Sequence, residues 1–178
     1  MNHENLWAPW RMTYLRELTR KAEAAGGMEP GPGPFLSEYF RRPEDDEKHY
    51  VVHRNKHGII LLNLYPYTCG HLLVALGEPR PTLLDYEPAQ RAQFWRLVEI
   101  GTELVERTYH PQGINLGVNQ GAAAGAGAPD HLHAHLIPRW NGDTSFITVV
   151  GQIRVMPDSL EQVAKQYRAT MKKLGKVT

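Results

Sequence analysis

Three of the nine histidines in this 178-residue chain fall within five positions, in the run His131-Leu132-His133-Ala134-His135-Leu136-Ile137. Imidazole titrates close to neutral pH, so it can act there as nucleophile, proton carrier or metal ligand. The polar and apolar residues alternate strictly, which fits a strand, where positions i, i+2 and i+4 share one face. On a helix the three rings would diverge. As a strand they form a row with neighbours ~6.6 Å apart, while Leu132, Ala134 and Leu136 turn to a core. The row admits a solvated strand face with incidental histidines, a zinc site of the three-histidine kind, which also uses strands, and a site of nucleophilic catalysis.

The elements that must hold this row can be placed from periodicity and punctuation. Leu6-Trp7-Ala8-Pro9-Trp10 and the residues to 24 read as a first helix starting near Pro9. Gly26 to Pro34 (GGMEPGPGP) cannot hold a helix and reads as a loop. After the acidic patch Glu44-Asp45-Asp46-Glu47, strands are expected over Tyr50–His53 and Gly58–Leu64, joined by a turn around Asn55 to Gly58. The turn Tyr65 to Gly70 leads to another strand, His71–Leu76. Residues 88–109 place Ala92, Trp95, Leu97, Val98, Ile100, Leu104 and Val105 at helical spacing. A strand over Gly113–Asn119, a glycine and alanine loop over Gly121–Ala128, the histidine strand to Trp140, and a helix from Asp158 as N-cap to about Lys173 complete the chain. Grouped strands with surrounding helices predict an α+β class on an antiparallel sheet, with residues 1–178 forming a single domain.

A chain of this length buries roughly 70% of its extended surface and needs no disulfide or metal staple. Its 20 Lys and Arg against 19 Asp and Glu leave a formal charge of +1, so no broad basic field suits nucleic acid or a membrane surface. Cys69 is the only cysteine, which excludes an intrachain disulfide and zinc patterns built on paired cysteines. Met1 to Asn5 lacks a basic region followed by an apolar one, and no run of ~18 apolar residues occurs. The expectation is a cytoplasmic protein that neither is secreted nor spans a membrane.

The run His131 to Ile137 matches the His-φ-His-φ-His-φ-φ signature of the histidine triad superfamily of nucleotide hydrolases and transferases. Asn63 with Gly70-His71 eight residues on, and Gln120 eleven residues before His131, resembles the fragile-histidine-triad hydrolases. Leu6 to Met12, Asn63-Leu64-Tyr65-Pro66-Tyr67, and Pro138-Arg139-Trp140-Asn141-Gly142-Asp143 to Phe146 are similar to the bacterial triad proteins that include diadenosine polyphosphate phosphorylases. The resemblance covers about residues 6–157. It implies the histidine triad fold, an antiparallel half-barrel sheet with a long central helix and flanking helices, as a homodimer.

The same resemblance implies nucleotidyl transfer to His133, with His135 on the scissile phosphate, His131 supporting the row and Gln120 orienting around the nucleophile. Asn63 would hold the ribose, His71 would donate to phosphate oxygens, and Gly121, Gly125 and Gly127 would let loop amides approach the phosphates. Each has a plainer alternative: a buried bonded histidine at 71, turn amides at 63 and 120, a linker at the glycines. Tyr65 and Tyr67 read as packing aromatics that could flank a base, and Arg139 is left unassigned. The chain departs from the family pattern at Gly127, where a polar side chain is usual. It also carries Phe35-Leu36-Ser37-Glu38-Tyr39-Phe40 where some bacterial relatives have paired cysteines, so no metal is expected. The implied activity is cleavage of a dinucleoside polyphosphate, with phosphate as acceptor, so that diadenosine tetraphosphate gives ADP and ATP. No protein cofactor is implied, and magnesium enters only with the nucleotide. A dinucleoside polyphosphate or nucleoside phosphoramidate hydrolase, and a nucleotide-binding regulatory protein with little turnover, are the alternatives.

Overall fold

The computed structural model describes residues 35–144, 146–151 and 155–175. The expected helix over residues 6–24 and the Gly26–Pro34 loop lie outside them. By their contacts the residues divide into Met1–Pro32 and Gly33–Thr178, and everything described belongs to the second unit. Its strands are β1 (Val51–Arg54), β2 (Gly58–Leu62), β3 (Leu72–Leu76), β4 (Gly113–Val118) and β5 (His133–Arg139), in the sheet order β1-β2-β3-β5-β4 with every neighbour antiparallel. Its helices are α1 (Phe35–Arg41), α2 (Pro88–Tyr109), α3 (Phe146–Val150) and α4 (Leu160–Leu174). This is the expected α+β class with an open antiparallel sheet.

The strands alternate between two buried faces. On one, Ile60, Leu62, Leu72, Val74, Leu132, Ala134 and Leu136 meet Phe94, Leu97, Leu104 and Val105 of α2 and Val163, Tyr167 and Met171 of α4. On the other, Val51, Ile59, Leu61, Leu73 and Ala75 meet Leu36 of α1. A sheet with both faces covered shows continuous apolar runs, as in Ile59-Ile60-Leu61-Leu62 and Leu72-Leu73-Val74-Ala75-Leu76. The helix α2 is placed to press on the histidine strand. Gly101, on its buried face, brings the backbone so close to β5 that a Cβ there would overlap the Leu136 side chain.

Several boundaries differ from the sequence reading. The chain at Tyr50 has φ 52°, in the left-handed region, so β1 starts at Val51. The N-cap of α4 is Ser159, whose Oγ accepts from the Gln162 N–H at 3.3 Å; Asp158 instead accepts from the Ser159 N–H and from Gln166 Nε2, one position outside the helix. The helix α1 was not expected. Arg54 holds its C-terminal end, donating to the Tyr39 and Phe40 carbonyls at 3.0 and 2.6 Å while pairing with Asp46, as a cation at a helix C-terminus does.

Gly58 tests how tightly β3 must be held. A Cβ there would collide with the Ala75 carbonyl oxygen and lie 2.9 Å from Leu76 Cα, both main-chain atoms of the strand that pairs with β5. Gly58→Ala is expected to destabilise the fold by about 1–3 kcal/mol, measured by urea unfolding; an unchanged midpoint would show that β2 and β3 can separate without cost.

Candidate active site

His133 and His135 lie on the face of β5 that shares Ala75 and Leu73 as register partners, and both are buried. His131 precedes the strand. Its N–H donates to the Ala128 carbonyl at 3.1 Å, and the Leu132 N–H donates to the Arg80 carbonyl at 2.8 Å. The His131 carbonyl accepts from His133 Nδ1 at 2.9 Å. A carbonyl can only accept, so Nδ1 of His133 carries the proton and Nε2 carries the lone pair. By the same reasoning His131 donates from Nε2 to the Leu76 carbonyl at 2.8 Å, leaving its Nδ1 buried without a hydrogen-bond partner among the described residues.

The opposite tautomer is imposed on His135 from the turn before β3. The Tyr67 N–H can only donate, and it reaches Nδ1 of His71 at 3.2 Å. His71 therefore holds its hydrogen on Nε2, which lies 2.9 Å from Nδ1 of His135 and donates to it. His135 is left with an N–H at Nε2, a buried donor with no partner among the described residues. The two neighbouring rings, with centroids 5.0 Å apart, thus carry complementary groups, a lone pair on one and a hydrogen on the other. Asn63 joins the relay, donating from Nδ2 towards His71 Nδ1 at 3.3 Å while its Oδ1 accepts from the Tyr65 N–H at 2.9 Å. The Thr68 hydroxyl ties this turn to β5 through the Pro138 carbonyl at 2.8 Å.

Burial keeps the row neutral. Desolvation lowers His133 below the ordinary imidazole value, partly opposed by its bond to the His131 carbonyl. It lowers His131 to about 4, against the Leu76 carbonyl and with some help from His133, and lowers His135 to about 4, again with His133 adding to the effect. An uncharged imidazole whose lone pair is presented by a fixed tautomer is the form a nitrogen nucleophile needs.

Of the residues singled out from sequence, His131, His133, His135, His71 and Asn63 converge. Gln120 does not join them: its Oε1 accepts from the Leu83 N–H at 2.9 Å, and with Leu116 and Val118 it borders a cavity on the opposite, α2 side of the sheet. His71 addresses His135 through Nε2 rather than pointing that hydrogen at open space. Gly121 and Gly125 have φ 83° and 84°, which only glycine adopts freely, and the loop closes on itself through Ala124, Gly125 and Ala126 N–H bonds. Gly127 is not in that region, and a Cβ there would meet nothing within 4 Å. Tyr67 belongs to the site more closely than its sequence context indicated. Its ring lies 4.8 Å from His71 and 6.0 Å from His135, within 13° of parallel to the latter. Among the described residues, no three His, Cys, Asp or Glu side chains are grouped so as to hold a metal ion, and no helix is long and apolar enough to cross a membrane.

Residues 44–142 match the model of the HIT domain family. The chain is 34% identical over 163 residues to the AP-4-A phosphorylase of Mycobacterium tuberculosis, covering 91% of this chain and 81% of that one. It is 32% identical over 95 residues to the asymmetrical bis(5'-nucleosyl)-tetraphosphatase of Schizosaccharomyces pombe, covering 53% and 52%. Its fold is similar to that of a zinc-bound histidine triad family protein from Mycobacterium smegmatis, with a TM-score of 0.62 at 26% identity over 78% of this chain and 94% of that one.

The depressed histidines make stability depend on pH with a defined sign. Between the ordinary value of 6.5 and about 4, the unfolded chain binds protons at His131 and His135 that the folded chain does not. Stability therefore rises with pH through this window and is lost as pH falls from 6.5 towards 4. Replacing His135 by Phe should reduce the slope by about one proton, roughly 1.4 kcal/mol per pH unit at its steepest. Chemical unfolding of parent and variant between pH 4 and 7.5 checks this, and parallel curves would mean that His135 titrates normally.

Proposed function

Because the chain belongs to the HIT domain family, we propose that it is a nucleotidyl-transferring enzyme that cleaves dinucleoside polyphosphates through a nucleotidyl-His133 intermediate, with inorganic phosphate as the second acceptor. The observation that carries the reading is the pair of opposed tautomers, with the lone pair at His133 Nε2 beside the N–H at His135 Nε2. In the first step Nε2 of His133 forms a bond to the α-phosphorus, and the bond to the leaving polyphosphate oxygen breaks. The Nδ1–H of His133 stays on the His131 carbonyl, where it stabilises the positive charge the ring acquires. Charge growing on the phosphate oxygens is met by the His135 N–H, a donor fixed beforehand by His71, as effective transition-state stabilisation requires. In the second step an oxygen of inorganic phosphate attacks the same phosphorus, the P–N bond breaks, and the neutral imidazole returns. Diadenosine tetraphosphate then yields ATP from the first step and ADP from the second.

The substrate-facing roles of Asn63, on the ribose, and of the Gly121, Gly125 and Gly127 loop, on the phosphates, belong to the same proposal. The 34% identity to a named phosphorylase over most of the chain supports phosphate over water. No metal cofactor is proposed for the protein, and magnesium accompanies the polyphosphate. The whole chain is read as one such domain, acting in the cytoplasm, for which its single cysteine is suited. Its proposed partner is a second copy of itself at the β4 edge. There Leu116 and Trp95 are 54% and 45% exposed and border an apolar cavity with Leu83 and Val98, and an exposed apolar edge strand invites pairing.

Incubation with diadenosine tetraphosphate, with and without inorganic phosphate, tests the function. ADP and ATP in equal amounts are expected with phosphate; AMP and ATP in its presence would make the protein a hydrolase, and no cleavage would end the reading. His133→Ala should lose turnover by roughly 10⁴-fold or more while still binding nucleotide, and the acidic limb of kcat/KM should fall below pH 6.5 because burial depresses His133. Gly127→Gln enters open space without backbone strain. It is expected to lower the phosphate-dependent rate more than the water-dependent one, so that ADP falls relative to AMP across a phosphate series; a constant ratio would place acceptor choice elsewhere.

A further inference from the structure

On β5 the alternation that aligns His133 and His135 continues through Ile137 to Arg139, ~13 Å beyond His135. There the row runs into a cavity of about 500 Å³ walled by Tyr67, Ile137, Arg139, Trp140, Asn141 and Thr148, a size in the range of small-ligand sites, about 300–1,000 Å³. Tyr67 is the wall shared between the cavity and His135, over which it lies nearly parallel.

Among the described residues, the one cation and one carboxylate lining this space cancel each other. Arg139 donates to Asp143 from Nε and Nη2 at 2.6 and 2.8 Å, and to Asn115 Oδ1 from Nη1 at 2.8 Å. Asp143 also accepts from the Trp140 N–H and the Thr144 hydroxyl, each at 3.2 Å. A guanidinium held in this bidentate fork is fixed and neutralised, which does not suit a free phosphate anion. The Tyr67 and Trp140 rings, the Asn141 amide and the Thr148 hydroxyl also line the space, and these are the groups that recognise a nucleobase by stacking and by hydrogen bonds to its edge.

We propose that this cavity receives the nucleoside at the leaving end of a dinucleoside polyphosphate, the polyphosphate lying along the row from His133 past His135 and Tyr67. The inference rests on the nucleotidyl-transfer reading and adds to it the basis on which the enzyme would select a substrate with a nucleoside at both ends.

The test uses His133→Ala protein, in which bound substrate is not consumed, and compares binding of diadenosine tetraphosphate with that of adenosine tetraphosphate, which has the same phosphate chain but no second nucleoside. Trp140→Ala and Asn141→Trp are each added to this background. The second variant fills the cavity from an exposed position and keeps the test decisive if losing the Trp140 contact with Tyr109 prevents folding. Each substitution is expected to weaken the two-headed ligand roughly tenfold and to leave adenosine tetraphosphate within about twofold. Equal losses for both ligands, or none for either, would overturn the cavity assignment while cleavage of diadenosine tetraphosphate by the unmodified protein still upheld the function. Failure of the unmodified protein to cleave it would remove both.

Discussion

The hydrogen bond from Nδ1 of His133 to the carbonyl of His131 governs the rest of the site. It decides which ring nitrogen is free, and it has the His131 carbonyl to itself most readily where that carbonyl is not also spent in the sheet ladder. The chain meets that condition by entering β5 late. His131 and Leu132 bond backwards, to Ala128 and Arg80, and the ladder to β3 begins with His133 opposite Ala75. The Leu76 carbonyl at the end of β3 receives the His131 ring at the same point. One strand end therefore supplies both the acceptor that fixes the His133 tautomer and the acceptor that fixes that of His131.

Burial is what makes this arrangement chemically useful, and it is also costly. Packing the row on the face of Leu73 and Ala75 holds the imidazoles neutral, but it leaves His131 Nδ1 and His135 Nε2 without partners among the described residues. Each such atom costs about 1–3 kcal/mol. The other face of the sheet, where α2 and α4 close over the larger apolar cluster, provides the stability against which that cost is set. The close seat of Gly101 on Leu136 couples the two faces, because movement of α2 is felt by the strand that carries the histidines.

Much of this was legible in the sequence for a physical reason: strict alternation over His131 to Ile137 allows one strand face, and helical spacing over residues 88–109 matches α2 from Pro88 to Tyr109 without adjustment. What could not be read were contacts between residues distant in the chain. The hydrogen-bond partners that fix His131 and His135 lie 55 and 64 residues away, and no local pattern encodes a tautomer. The seven-residue helix α1 is too short for periodicity to register. Gln120 had the spacing of a site residue, yet the alternation of Leu116 and Val118 carries it to the α2 side of the sheet, where the Leu83 N–H takes its carbonyl. Tyr67 could not be told from a packing aromatic, because its position over His135 depends on a turn anchored by Thr68 to a strand end 70 residues on.

The electrostatic character of the row has a consequence for how it handles a polyanion. Its rings are neutral, and Arg139, the cation that continues it along β5, is already matched by Asp143. In the proposed nucleotidyl transfer, a phosphate at His133 therefore meets oriented N–H dipoles rather than a full positive charge. Ground-state attraction to any phosphate is correspondingly modest, while the donors are already aimed where charge will grow as the leaving oxygen departs. In that proposed step positive charge appears at His133 only when its lone pair engages phosphorus, so the attraction strengthens along the reaction coordinate instead of preceding it. That is the differential binding from which rate acceleration comes, and it explains why the tautomers, more than any cation, are what the surrounding fold is built to fix.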